Sequence, residues 1–331
     1  MFAVRGIAVS FSIFVLLYSA LSVAVCVVWR RVWRSGYRDS ATRCADLLFA
    51  LRMAPFVIAT GVTFVFAVPS FLLLEPRAVN ESVGNVPAVL GVCGIAVVLA
   101  GIWNAVGALV RASRMVARWS SEARAIGSST GGSPILESEI LESKTSVSVL
   151  GIAAVAPPLT AAGIFRPSVW LSAAARFVLN ERELRSALRH EAVHVRRHDN
   201  LRKLLLSLVA FPGMVELARA WREATEMAAD DAAVSNASEA LDLAAAVIKL
   251  SRMAPLEPPA DLTTALVHSP VESVNARVER LIAWTEPRQM PAKRYLSVYG
   301  LCAAAAFTAT LAVSYSQLLL LVHTATEWLV R

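Results

Sequence analysis

His190-Glu191-Ala192-Val193-His194 lies within a run that opens at Asn180-Glu181-Arg182-Glu183 and closes at His198-Asp199-Asn200. The opening is a helix start. Asn is a favoured N-cap, and Glu183 at the third helical position can reach back to the cap's own N–H. Leu184, Leu188, Ala192 and Val195 then recur at helical spacing and bury one side. On that helix His190 and His194 are one turn apart, so both imidazoles project from one face toward a single metal ion. Glu191, between them, is placed to act on water at that metal. His198-Asp199-Asn200 marks the exit of the helix.

Zinc is bound by imidazole nitrogen at about 2.0–2.1 Å and by carboxylate oxygen at about 2.0–2.2 Å, and a catalytic site keeps one position open for water. His190 and His194 supply two ligands, so a third must come from elsewhere. Downstream, Glu223, Glu226 and Asp230 share a helix face at i, i+3, i+7. Any of them can approach the metal. Glu226 is the favoured ligand, with Asp230 one turn on as the acceptor that orients a histidine ligand. Glu191 takes a proton from the attacking water and passes it to the leaving amine. Asp199 is read as a hydrogen-bonding residue at the helix end, behind the ligands. His198 is read as a polar helix-end residue, Glu223 as a solvated charge and His268 as a loop residue. The cofactor implied is Zn2+.

Outside this stretch the chain is very apolar. Of 331 residues 56% are hydrophobic, and mean hydropathy is +0.56; soluble domains are about 45–50% apolar. The excess lies in four uncharged blocks, Ile7–Trp29, Met53–Leu74, Val86–Val110 and Tyr295–Val322. Each is long enough to cross a hydrocarbon core, which takes roughly 20 residues. The first is read as an uncleaved anchor, because it lacks a small-x-small cleavage site and ends in Trp29-Arg30-Arg31. Arg30, Arg31, Arg34, Arg38 and Arg43 follow the first block, Arg111, Arg114 and Arg118 follow the third, and Lys293 and Arg294 precede the fourth. The loop after the second holds only Arg77 beside Glu75 and Glu81. Basic loops stay inside, so both termini and Glu75–Asn85 are expected outside, and the stretch from Arg111 to Arg294 inside, at a bacterial inner membrane. These arginines account for much of the net charge of +7, so no direct nucleic-acid binding is inferred. The cysteines Cys26, Cys44, Cys93 and Cys302 match neither a disulfide framework nor a metal site.

The expected organisation is a membrane region over 1–110, a basic helix and flexible linker over 111–144, a metallopeptidase domain over 145–294, a fourth span over 295–322 and an outer tail over 323–331. Within the domain, Thr145–Val149 alternates like a strand and Ser168–Leu171 returns as a second one. The apolar run Val149–Phe165 is too short and too interrupted by proline for a span, and a hairpin is expected. Leu204–Val215 reads either as a core helix or as a segment on the membrane surface. Glu216–Asn236, Glu239–Met253 and Val271–Trp284 read as helices.

At this point the residues resemble a known group. Arg189–Leu201 is similar to the zinc-helix signature of the BlaR/MecR-type antirepressor membrane metallopeptidases, and Pro158…Gly163-Ile164-Phe165-Arg166-Pro167 to that family's proline–glycine hairpin. Glu226–Val234 resembles its Glu-x-x-x-Asp-Asp-Ala-Val segment, and Asn275–Leu281 its Arg-x-x-Arg-Leu helix. The resemblance implies a mainly α membrane protein with four transmembrane helices and a cytoplasmic α+β zincin-like (gluzincin) metallopeptidase domain. It implies His190, His194 and Glu226 as zinc ligands and Glu191 as catalytic base. It also implies a cytoplasmic winged-helix transcriptional repressor as substrate. The chain departs from the best-known members in having only His323–Arg331 after the fourth span, without the penicillin-binding sensor, so a separate sensor protein is a possible partner. Phe211-Pro212-Gly213 also stands where Phe-Asn-Pro is often found.

The leading expectation is therefore a membrane-anchored zinc endopeptidase that cleaves a cytoplasmic protein, a transcriptional repressor, in signal transduction. A quality-control membrane protease of the HtpX type pairs the same motifs and stands as the alternative. A non-catalytic membrane receptor or scaffold is the reading from another class. An intramembrane protease fits less well, since Arg182, Arg185, Arg189, Arg196 and Arg197 flank the motif and charges at bilayer depth are costly.

Overall fold

The computed structural model describes residues 2–36, 40–75, 84–130, 149–152, 157–165, 167–209, 211–253, 262, 264–265, 271–284, 310 and 313–327. The chain forms two compact units. The first holds Met1–Val27, Met53–Ala100 and Pro287–Arg331; the second holds Val28–Arg52 and Gly101–Glu286.

Among the described residues four α-helices precede the first strand: α1 (Phe2–Gly36), α2 (Ala41–Val62), α3 (Val68–Leu74) and α4 (Asn85–Thr130). Among the described residues three helical stretches are long and apolar enough to cross a membrane, Phe2–Arg31, Ala41–Leu74 and Asn85–Ser121. α2 passes into α3 through a π turn at Thr63–Ala67. Pro69, just beyond it, has no N–H to donate and its ring displaces an upstream carbonyl, which the wider turn accommodates. In the first unit α1 and α4 approach closely at glycine. A Cβ on Gly91 would lie 2.9 Å from Ala8 O, and one on Gly94 would lie 2.5 Å from Phe11 O. Small residues let spanning helices meet at this distance, and Ser12 Oγ donates to Pro87 O across the same seam (2.9 Å). Phe14 stacks on Tyr18, with Phe56 edge-on to both. The expected fourth span, Tyr295–Val322, falls largely outside the described residues. Residues 313–327 are helical, with Tyr315 Oη donating to Val65 O (3.0 Å) and Ser70 Oγ donating to Leu319 O (3.3 Å).

The second unit carries a four-stranded sheet, β1 (Val149–Ile152), β2 (Leu159–Ala162), β3 (Ser168–Ser172) and β4 (Thr264–Ala265), in the order β1-β3-β2-β4. In its described residues, 149–152 and 157–165, the apolar run is strand and turn. The pairing differs from the expected one, however. The hairpin joins β2 to β3, turning at Gly163, whose φ of 98° suits glycine. β1 lies parallel to β3 on its other side, and residues 145–148 lie outside the described set. The reason is two-sided burial. Val169 and Leu171 face a core with Leu184, Leu188, Leu243 and Val247. Trp170 faces the opposite way, onto Trp119 of the α4 extension. A strand buried on both faces loses the alternation from which pairing is read.

The helices α5 (Ala173–Val178), α6 (Glu181–Arg196), α7 (Asp199–Leu208), α8 (Val215–Ala233), α9 (Ala237–Ser251) and α10 (Val271–Ile282) complete the unit. α6 begins as its sequence requires. Asn180 Oδ1 accepts from Glu183 N and Glu183 Oε2 accepts from Asn180 N, each at 2.9 Å, while Lys249 of α9 pairs with Glu183 at 2.7 Å. Asn180→Ala is expected to lower unfolding free energy by about 1 kcal/mol, read as a shift in the denaturant midpoint. α6 ends at a left-handed His198 (φ 54°), and α7 leaves at once in a new direction. Leu204–Val215, open from sequence, resolves into α7, a turn and the start of α8; Leu206 and Val209 are buried, and Arg52 Nη2 donates to Val209 O at 2.9 Å.

A candidate metal centre on two helices

α6 and α8 bring His190, His194 and Glu226 together, with one potential ligand atom from each inside a 4.8 Å circle. His190 Nε2 and His194 Nε2 are 3.1 Å apart. Glu226 offers Oε2 at 3.5 Å from the first and Oε1 at 3.7 Å from the second. Behind the rings stand two aspartates. His194 Nδ1 is hydrogen-bonded to Asp199 Oδ2 at 2.7 Å, and His190 Nδ1 lies 2.9 Å from Asp230 Oδ1. An aspartate behind a ring assigns the proton to Nδ1 and leaves the lone pair on Nε2. Two lone pairs and a carboxylate then converge on one point, which is repulsive unless a cation sits between them. The donor set suits a divalent metal ion.

Asp199 owes its place to the left-handed turn at His198, which folds the start of α7 back beneath α6. It is fully buried. Asp199→Asn is expected to weaken metal affinity by about 10–100-fold, measured by competition with a chromophoric chelator; an unchanged affinity would remove Asp199 from this role. Asn200, the next residue, donates from Nδ2 to Ala161 O and Gly163 O, both at 3.1 Å, and so ties the β2–β3 turn to the metal helices. Glu223 and His198 are not among the converging residues, and His268 lies outside the described residues.

Glu191 is completely buried. Its Oε2 accepts from the Ala161 backbone N–H at 2.9 Å. Oε1 has no protein hydrogen-bond partner among the described residues, so one oxygen is anchored to β2 and the other is left for chemistry. Burial raises its pKa to about 7, against the pull of His194 and His190. A carboxyl near neutrality both accepts and returns a proton readily. Burial also pushes the Glu226 carboxyl up, but His194, Arg277 and His190 outweigh it and hold it at about 2. For His190 burial favours the neutral ring, yet Asp230 and Glu226 prevail and raise it to about 9, so a metal ion taking the Nε2 lone pair displaces a proton from this ring.

Sequence reasoning gave Arg277 no role, yet it is the hub of the polar layer beneath the ligands. It is 2% exposed. Nε and Nη2 donate to Asp230 Oδ2 and Oδ1 at 2.8 and 2.7 Å, the planar fork matching the carboxylate. Nη1 lies 3.1 Å from Glu226 Oε2. The signal was present in α10. Val274, Arg277 and Leu281 are buried together, spaced as one helix face, and an arginine on an apolar face requires a buried partner.

The family model for the BlaR1 peptidase M56 matches residues 67–281, more than half of the chain and the whole of the site just described. The chain belongs to the BlaR1 peptidase M56 family. No curated protein matches it. Peptidases of this family are metallopeptidases, in keeping with the His190–His194–Glu226 group, and the spanning helices make this member a membrane protein.

Proposed function

We propose that this M56 member is a membrane-anchored zinc endopeptidase that cuts a cytoplasmic protein, a transcriptional repressor, to relay a signal. The observation that carries the reading is the convergence of two Nε2 lone pairs and the Glu226 carboxylate beside the buried, one-side-anchored Glu191. His190, His194 and Glu226 would hold the ion, which when bound polarises a carbonyl and acidifies water at neutral pH. Asp199 and Asp230 hold the two rings in one tautomer. Arg277 keeps Asp230 and Glu226 ionised and fixed. Ala161 N–H restrains Glu191 Oε2, and Glu191 takes a proton from the attacking water and delivers it to the leaving amine as the peptide bond breaks. The arginines flanking the spans support a cytoplasmic placement of this chemistry.

Terminal-peptide profiling of cells carrying the wild type or Glu191→Gln tests the biological role. One new cut in a DNA-binding protein, present only with the wild type, is expected. Many cuts spread over damaged membrane proteins would replace the signalling role with quality control, and no difference at all would contradict an endopeptidase.

A further inference from the structure

Among the described residues His198 is the one non-glycine residue with a left-handed backbone, and such a residue persists only where its surroundings over-determine it. Asp46 of α2 supplies part of that determination. Its Oδ1 accepts from Arg197 Nη2 at 3.1 Å and from Arg202 Nη1 at 2.7 Å. One carboxylate oxygen therefore ties the end of α6 to the first turn of α7, across the corner at His198. Arg202 also lies over the ring of Phe49, 5.4 Å from its centroid, on the same face of α2 as Asp46.

What this corner holds in place is Asp199. Its Oδ2 is committed to His194 Nδ1 at 2.7 Å, and its Oδ1 lies 3.7 Å from Arg197 Nε. A fully buried carboxylate needs positive charge beside it. Arg197 provides that charge, and Lys203 adds to it. One guanidinium thus faces Asp46 with Nη2 and Asp199 with Nε, and the contacts run without a break from α2 to a metal-binding histidine. The same stretch of chain also meets α8. Trp33 of α1 and Ala41 of α2 pack on Met227 and Ala228, which follow Glu226, and Phe49 meets Trp221 with ring centroids 6.3 Å apart. All of these residues belong to the second unit.

We propose that Asp46 is a positioning residue for the metal centre, a role that presupposes the centre proposed above. It fixes the α6–α7 corner through Arg197 and Arg202 and so holds Asp199 behind His194. Asp46 lies on a stretch long and apolar enough to cross a membrane, so a spanning helix helps to set the geometry of a ligand.

Zinc affinity of the full-length protein in detergent micelles, measured by competition with a chromophoric chelator, tests the role. Asp46 is half exposed, and its loss should act with the strength of a surface pair. Asp46→Asn is therefore expected to weaken zinc binding about fivefold. In an Asp199→Asn background the same change should have no effect, because the route through Asp199 is already cut. Arg202→Gln, which frees the α7 end of the clasp, should repeat this pattern. Equal affinity of wild type, Asp46→Asn and Arg202→Gln would overturn the proposal and leave the metal centre standing. An equal loss in both backgrounds would also overturn it, by marking Asp46 as a general structural contact. A wild type that binds no zinc would remove the metal centre, and the positioning role with it.

Discussion

Glu191→Gln is expected to lower kcat/KM for peptide cleavage by about 10²–10⁴-fold while leaving metal content unchanged. The substitution keeps the volume of the side chain, and its carbonyl oxygen can still accept from Ala161 N–H, so the helix and the sheet contact survive. What is lost is the group that takes up and returns the proton. Glu191 is buried beside the ligands rather than among them, and the metal should remain. Purified wild-type and variant protein, assayed on one substrate at equal metal content, give the comparison. A loss smaller than about tenfold would remove Glu191 from the role of base.

Arg277→Met is expected to cost about 3–5 kcal/mol of stability, the cost of breaking a buried pair by removing one partner. The change strands Asp230 and Glu226, whose carboxylates face Arg277 at 2.7 and 3.1 Å. The effect depends on pH in a definite direction. In the wild type Glu226 is held at about 2 and Asp230 is likewise depressed by Arg277 and His190 against its burial. Depressed carboxyls stabilise the fold above their unfolded values near 4, and that stabilisation fades as pH falls through the folded values. The gap between wild type and variant should therefore be widest above about pH 5 and close on acidification. Denaturant melts across this range measure it. Arg277→Lys should not restore stability, because an ammonium cannot reproduce the fork on Asp230. A cost below about 1 kcal/mol at neutral pH would show that Arg277 is not the hub of the layer.

What could be read without a structure was whatever local spacing determines. The cap of α6 rests on Asn180 and Glu183, three residues apart, and the two histidines sit one turn apart; both arrangements follow from helix geometry alone. Glu226 and Asp230 were placed on one face of α8 by the same rule. The pairing of Asp199 with His194 needed the left-handed turn at His198, a conformation that histidine adopts more than most residues but still uncommonly, so helical spacing does not place it. Arg277 is farther still along the chain from the carboxylates it joins, and only packing of α10 against α8 and α9 brings it there. The sheet was misread in pairing for a related reason: Val169, Trp170 and Leu171 are all buried, and a uniformly buried strand does not say which neighbour it takes. The fourth span, Tyr295–Val322, lies largely outside the described residues.

The account rests on a metal ion held by His190, His194 and Glu226, and the most direct measurement is the metal content of the purified full-length protein. Emission spectrometry should find about one zinc per chain, lost on dialysis against chelator and absent from a His190→Ala/Glu226→Ala double variant that still unfolds cooperatively. A well-folded wild type that binds no zinc, or a double variant that binds as much as the wild type, would contradict it.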